Sequence, residues 1–553
     1  MRAILFRCAL LFMVVVLPAG FVVAQTTAEK VRVKVRISPE EDANAKLRPY
    51  SIIRSSPSSI MIMRSGEFDV RAFGTLKSTL DLYDDAKLMP VRSQEPVMQR
   101  SGQGKLFLEN LVYFAGKPML IARGGGDEAV KLFWQPLDPN LTRPSPAFEL
   151  FSEFPIQIKV NKVVAAQAGA SIREPFRTAI SRDSAKMVVY SAEIRDEEDE
   201  GAFYLFTAVD KEMRVLWNNI LRLGQDVRSS EVMDVEVDHR GVAYVLLKNH
   251  MGESVQGKAN SEIVLHRLTA EDMTQMTVSL GGYFIAGGSL HTLGGQVTCA
   301  GIYASHDADR VKAEGNFLAS IDSTGEFGEP RLMPSFGENS LDLVSDPGEL
   351  DDVKAPKDGA GAKDEKNQKR NASSTDVIAF IPRKDGGFFL VNEVNFIRER
   401  RDPETGRVSS TFYHGPLQAR AFDAEGREQW STFFKRWTIS DTPLIGRVFA
   451  VDFNDRLFLF LLDSEDMTER RKAGQPITPK QTTTGLFSAY VTFDDNGAFK
   501  VKPVLKNDTN EDYISGWDIT PTGPNEYVAF GTRSLTTAKF LPVKIEFSLD
   551  TKK

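Results

Sequence analysis

The sequence predicts an all-β protein, a β-propeller of about seven four-stranded blades with six to eight allowed. Three observations predict it. A polar turn followed by an apolar run recurs along the chain, two types of such hairpin alternate, and no long amphipathic helix interrupts them.

The first type of hairpin occupies residues 114–121, 181–190, 237–247, 293–303, 383–391, 451–461 and 521–530. Each is a polar turn carrying Asp, Asn or Gly, followed by a strand. An Asp side chain can accept a bond from the backbone two residues on, and Gly supplies the positive φ that a tight turn needs. The second type lies between these. Residues 209–217 and 422–430 share an Asp (Asp210, Asp423) and, seven residues later, a Trp (Trp217, Trp430). Residues 321–325 and 493–497 share the turn without the Trp. An inner hairpin followed by an outer one is what a four-stranded blade requires.

Turns of the first type recur about 55 to 70 residues apart, except across an insertion, which fits blades with long loops. The runs 244–247 and 457–460 are apolar at every position. A strand covered on one face alternates, so continuous runs imply cover on both faces, and stacked blades provide it without helices. Seven units are counted this way, with room for an eighth over residues 60–82. Residues 31–37 alternate cleanly and suit an outer strand that completes the last blade beside 540–547, removing an exposed edge. A row of two or three β-sandwiches is the rival fold.

Residues 345–374 are rich in Asp, Lys, Gly, Ala and Pro with almost no apolar side chain, which predicts a disordered excursion within the fifth unit. Shorter hairpin extensions are expected at 196–200, 251–261, 398–410 and 467–484.

The N-terminus reads as a secretory signal. Arg2 and Arg7 form a basic start, residues 8–16 are apolar, Pro18 and Gly20 break a helix, and cleavage is expected after Ala24. Cys8 follows Arg7, where a lipid-attachment motif requires small residues. No other stretch approaches the roughly 18 uncharged apolar residues of a membrane span. The expected mature chain is therefore a single propeller domain, 25–553, monomeric and exported to the periplasm or beyond the cell. Its one remaining cysteine, Cys299, cannot form an internal disulfide.

The net charge is −7, from 68 basic and 75 acidic residues mixed along the chain. No basic stripe is present to neutralise phosphates, which argues against nucleic acid as a partner.

The order Val237-Asp238 to Leu246, then Lys384 to Glu393, then Phe422 to Trp430 resembles large secreted bacterial proteins with propeller-like repeats and no assigned activity. The resemblance covers most of 176–549 and implies fold rather than function. Residues 422–430 also resemble the blade motif of quinoprotein-type propellers. Only two copies carry the Trp, and the adjacent cysteines common in those dehydrogenases are absent, so no cofactor is expected.

The six histidines (His239, His250, His266, His291, His306, His414) are not paired at a ligand spacing on one element, and no metal site is expected. No Gly-x-Ser-x-Gly elbow occurs, and Cys299 lies within an apolar strand. Asp494 to Gly497 lacks the alternating oxygen ligands of a calcium loop, and the acidic run 196–200 reads as a solvated hairpin tip. Polar groups on apolar strands are more informative. Period two places Glu393 on a face with Phe389 and Val391, where a carboxylate is costly unless it is paired or opens onto water. Glu393, expected near the axial channel, is therefore the first candidate binding residue. His291, just before the Gly294-Gly295 turn, is the second. An Arg or backbone group of the next blade is the structural alternative for Glu393.

No catalytic residue is singled out. The expected function is a non-catalytic exported propeller that binds a protein or glycan through its loop-bearing face. The competing readings are a hydrolase or lyase with carboxylates at the axial funnel, and a scaffold in envelope assembly.

Overall fold

Eight antiparallel sheets follow one another along the chain in the computed structural model, each built from strands close in sequence except for one strand that the N-terminal end supplies. The structure describes residues 31–549 except 40–46, 66–77, 97–105, 125–128, 157–175, 196–201, 252–260, 279, 281–282, 294–295, 308–309, 335–373, 402–407, 441–445, 476, 478–484, 506–511 and 533–538. The signal expected at 1–24 and the acidic run 196–200 lie outside the described residues.

Blades 1 to 7 span residues 48–94, 107–154, 177–222, 227–277, 284–334, 374–434 and 449–503. Blade 8 spans 513–549 and takes its fourth strand from the other end of the chain, where Val31–Ile37 pairs with Phe540–Leu549. Blades 3 and 6 each add a short fifth strand, Ile194–Arg195 and Thr438–Ser440. Within a blade the four strands are here called a to d in the order they pair, starting from the first. The a strands of successive blades touch around a ring, which makes them the innermost.

The blade count is eight. The blade additional to the seven counted turns is the first, whose b and c strands, Ser59–Ser65 and Ser78–Asp84, cover the stretch where an eighth had room. Its a–b connection is Pro57-Ser58, which lacks the Asp, Asn or Gly that marks the others. The excursion expected at 345–374 also lies outside the described residues, apart from Ser374. Its flanks are the d strand of blade 5 (Arg331–Pro334) and the a strand of blade 6 (Ser374–Pro382), so it joins two blades rather than interrupting one.

Burial explains the sequence pattern. The b strands are the most apolar because both edges are paired and both faces meet a neighbouring blade; Arg456–Ser464 is buried at all seven interior positions. Each of the eight blade-to-blade interfaces holds its own apolar cluster, including the one between blades 8 and 1, where Val528 and Phe530 meet Ile52, Ile60 and Ile62. The same interface carries an ionic latch: Lys544 reaches Asp85 and Glu526, and Arg54 reaches Glu526 at 3.0 Å.

The repeated turns are built by one device. Asp238 Oδ1 accepts from Arg240 N (2.8 Å) and Val242 N (3.0 Å), and Gly241 adopts φ +87°. Asp322 and Asp494 make the same pair of bonds, and Asp210 repeats it with Met213 at φ 62° in place of Gly. The two tryptophans of the outer hairpins dock on turns of the next blade. Trp217 Nε1 donates to Gly241 O at 2.9 Å, and Trp430 lies over Gly497, where a Cβ would come within 3.0 Å of the ring.

The two ends of the ring differ. All a–b connections hold two to five residues, whereas the opposite end carries 66–77, 155–176, 335–373 and 465–485.

Candidate functional site

Glu393 lies on the b strand of blade 6 (Phe388–Arg401), one strand out from the axis. The turn 383–387 leads into strand b, not strand a, which is why the residue stands away from the channel. It is 2% exposed, and its Oε1 accepts from Arg436 Nη2. Arg436 follows the d strand of the same blade and is fully buried; it also donates to Gly446 O (2.7 Å) and Gly415 O (3.2 Å). His414 Nδ1 stands 3.6 Å from Glu393 Oε2. Burial works to raise the Glu393 carboxyl, but Arg436 and then His414 outweigh it and hold it below the usual carboxylate range. A second buried pair, Asp463 with Arg471, lies close enough to act on Arg436 electrostatically. The Glu393 partner is thus an Arg of its own blade rather than of the next.

His291 lies elsewhere, on the a strand of blade 5 (Phe284–Leu293) at the tight-turn end. Its Nε2 is bonded to Arg182 Nη2, which reaches from the a–b turn of blade 3 past the end of blade 4. Its ring also meets the edge of Phe380 in blade 6, centroids 5.6 Å apart. Burial, and then the charge of Arg182, push its imidazole down to about 4. The structure therefore keeps Glu393 and His291 in separate clusters.

Around His291 the a strand of blade 4 contributes two carboxylates. Glu236 accepts from Thr292 N at 3.0 Å and from Thr292 Oγ1, and Asp234 accepts from Ser289 Oγ (2.6 Å) and Leu290 N (2.8 Å). Burial raises both carboxyls against these bonds, and the proximity of Asp234 adds to the rise at Glu236. Beside them opens a cleft of about 370 Å³, bounded by Arg182 and Asp183 of blade 3, His239 and Arg240 of blade 4, and Gln296 and Ser323 of blade 5. Its floor is apolar, formed by Val237, Tyr244, Val297 and Ile321.

The residues that sequence reasoning missed are Arg182 and His239, which line the cleft, and Glu236, which holds Thr292 of its wall. Glu236 had the same signal as Glu393, a carboxylate between Val235 and Val237 on a strand. Arg182 and His239 are turn residues in different blades, and nothing in the linear sequence relates them. Among the described residues no group of three His, Cys, Asp or Glu side chains is arranged to hold a metal ion, and no helix is long and apolar enough to cross a membrane.

Comparison of the sequence with protein-family models and with curated proteins finds no match. Among solved structures, the chain is similar to the WD40 domain of SCAP from fission yeast, with 7% identity over 93% of this chain and 98% of that one and a TM-score of 0.36. It is similar to the β-propeller domain of the Trilobed protease from Pyrococcus furiosus (11% identity, 84% of this chain and 96% of that one, TM-score 0.33). It is also similar to the polysaccharide lyase Uly1 (11% identity, 90% of this chain and 99% of that one, TM-score 0.34). Likeness at this level carries nothing about activity. The propeller architecture rests on the strand pairing of the chain itself.

Proposed function

We propose that this chain is an exported propeller that binds a glycan or protein partner, and that the cleft shared by blades 3, 4 and 5 is where it binds. One observation supports the binding reading above the others. The cleft gathers hydrogen-bonding side chains from three blades over an apolar floor, on turns whose own Asp residues fix the backbone. Binding through the loop-bearing end was the expectation from sequence; the cleft moves the reading to the opposite end. Export rests on the character of residues 1–24.

The test is retention on glycan and peptide arrays by the purified chain and by a Gln296→Ala/Ser323→Ala variant. Retention of one ligand class by the parent and its loss in the variant is the expected result. Equal retention by both would place the binding surface at the loop-bearing end instead.

A hydrolase or lyase is the second reading, favoured by one specific feature: a carboxylate and an imidazole stand just behind the cleft lining, Glu236 bonded to Thr292 and His291 bonded to Arg182. Turnover of an arrayed ligand that disappears with Glu236→Gln would establish it.

A further inference from the structure

The charges at the cleft are not all equivalent. Arg240 is paired with Asp238 at 2.8 Å. The carboxylates of Asp183, Asp238 and Asp322 each accept backbone N–H bonds of their own turns. Arg182 differs: among the described residues it forms no ion pair, and its one side-chain partner is His291. A guanidinium has only donors, so Nε2 of His291 must be the acceptor and the ring proton sits on Nδ1. The imidazole is then a neutral brace. It fixes the direction of Arg182 without cancelling its charge, whereas a carboxylate in the same place would do both.

Arg182 also acts electrostatically on Glu236, whose Oε1 is already held by the backbone and hydroxyl of Thr292.

We propose that Arg182 is an anion-binding residue and that the cleft takes a carboxylated saccharide, a uronic-acid unit of an acidic glycan. This rests on the cleft being the binding site. The guanidinium fork matches the two oxygens of a planar carboxylate. Gln296 and Ser323 form no side-chain hydrogen bond among the described residues and stand ready for hydroxyls, with His239 near Asp183 beside them, while the apolar floor suits the C–H face of a sugar ring. The volume, about 370 Å³, lies at the small end of ligand clefts and suits one or two rings rather than a long chain. His291 acts through Arg182 and is a positioning residue.

The experiment is calorimetric titration of the purified chain with short uronic-acid oligosaccharides, with sulfated oligosaccharides, and with neutral hexose oligosaccharides of equal length. The uronic-acid ligand binds, and the neutral one binds at least tenfold more weakly. Arg182→Gln reduces uronate affinity about 10- to 100-fold, the worth of a charge-assisted contact. His291→Gln, which retains an acceptor, keeps most of the affinity, and His291→Leu loses it. Affinity falls with added salt. Equal uronate binding by the parent and Arg182→Gln overturns the proposal, as does binding of only the sulfated ligand. Tight binding of the neutral oligosaccharide that Arg182→Gln leaves unchanged also overturns it but keeps the cleft as a glycan site. Binding of none of the three overturns it as well, and the peptide array then decides the broader reading.

Discussion

Two clusters of charged side chains in this propeller look alike in composition and differ in surroundings. In blade 6, Glu393, Arg436 and His414 are sealed between strands: Arg436 is fully buried, and the carboxylate and guanidinium neutralise each other. Across blades 3 to 5, Arg182 lines a cleft with Glu236 behind its Thr292 wall, and the Arg is held by the neutral ring of His291 instead of a carboxylate. A carboxylate on an apolar strand thus announces a polar cluster but not its use. Whether the charges cancel internally and exclude water, or stay unbalanced where water can reach, separates a tie within a blade from a place for a ligand.

The largest expected effect breaks the sealed cluster. Glu393→Leu or Arg436→Leu alone leaves a buried charge uncompensated and lowers unfolding free energy by about 3–5 kcal/mol. The double variant, with the charges removed together, recovers most of that loss. Urea unfolding of the three variants checks it; single variants within about 1 kcal/mol of the parent would show the pair is not sealed from water.

The next effect is a pH dependence. Burial pushes His266, in the core of blade 4, to about 4, as it does His291 with help from Arg182. The unfolded chain binds these protons near pH 6.5 and the folded chain only near 4, so the unfolded state holds more protons between. Stability is fully present above pH 6.5 and falls as pH drops toward 4, by on the order of 2–3 kcal/mol for each group. Unfolding measured from pH 7 to pH 4 should therefore show a steeper loss in the parent than in His266→Asn. Identical profiles would mean that His266 is protonated in the native state.

The smallest effect on stability is expected at the open cluster. Arg182→Gln removes an exposed charge with no ion pair among the described residues, and should change unfolding free energy by less than about 0.5 kcal/mol. A loss like that of Glu393→Leu would erase the distinction between the two clusters.

The sequence located the turns that join strands a and b in seven blades, the outer hairpins with their Trp residues, and the stretch that became the eighth blade. Those features are local: an Asp bonds the backbone two residues on, and a Gly or a left-handed residue closes the turn, wherever the blade ends up. The sequence also named one member of each cluster, Glu393 and His291, because a polar residue on an apolar strand is visible from alternation alone. What it misplaced was depth. The most apolar strand after each turn was read as bordering the axis, whereas two paired edges and two covered faces make it the second strand outward.

Only the closed ring decided the rest. The latch of Lys544 on Asp85 and the meeting of Arg182 with His291 join residues more than a hundred positions apart. No local rule of spacing relates such residues; the curvature of eight stacked sheets brings them together. Blade order along the chain was therefore written in the sequence, while the cleft exists only once blades 3, 4 and 5 stand side by side.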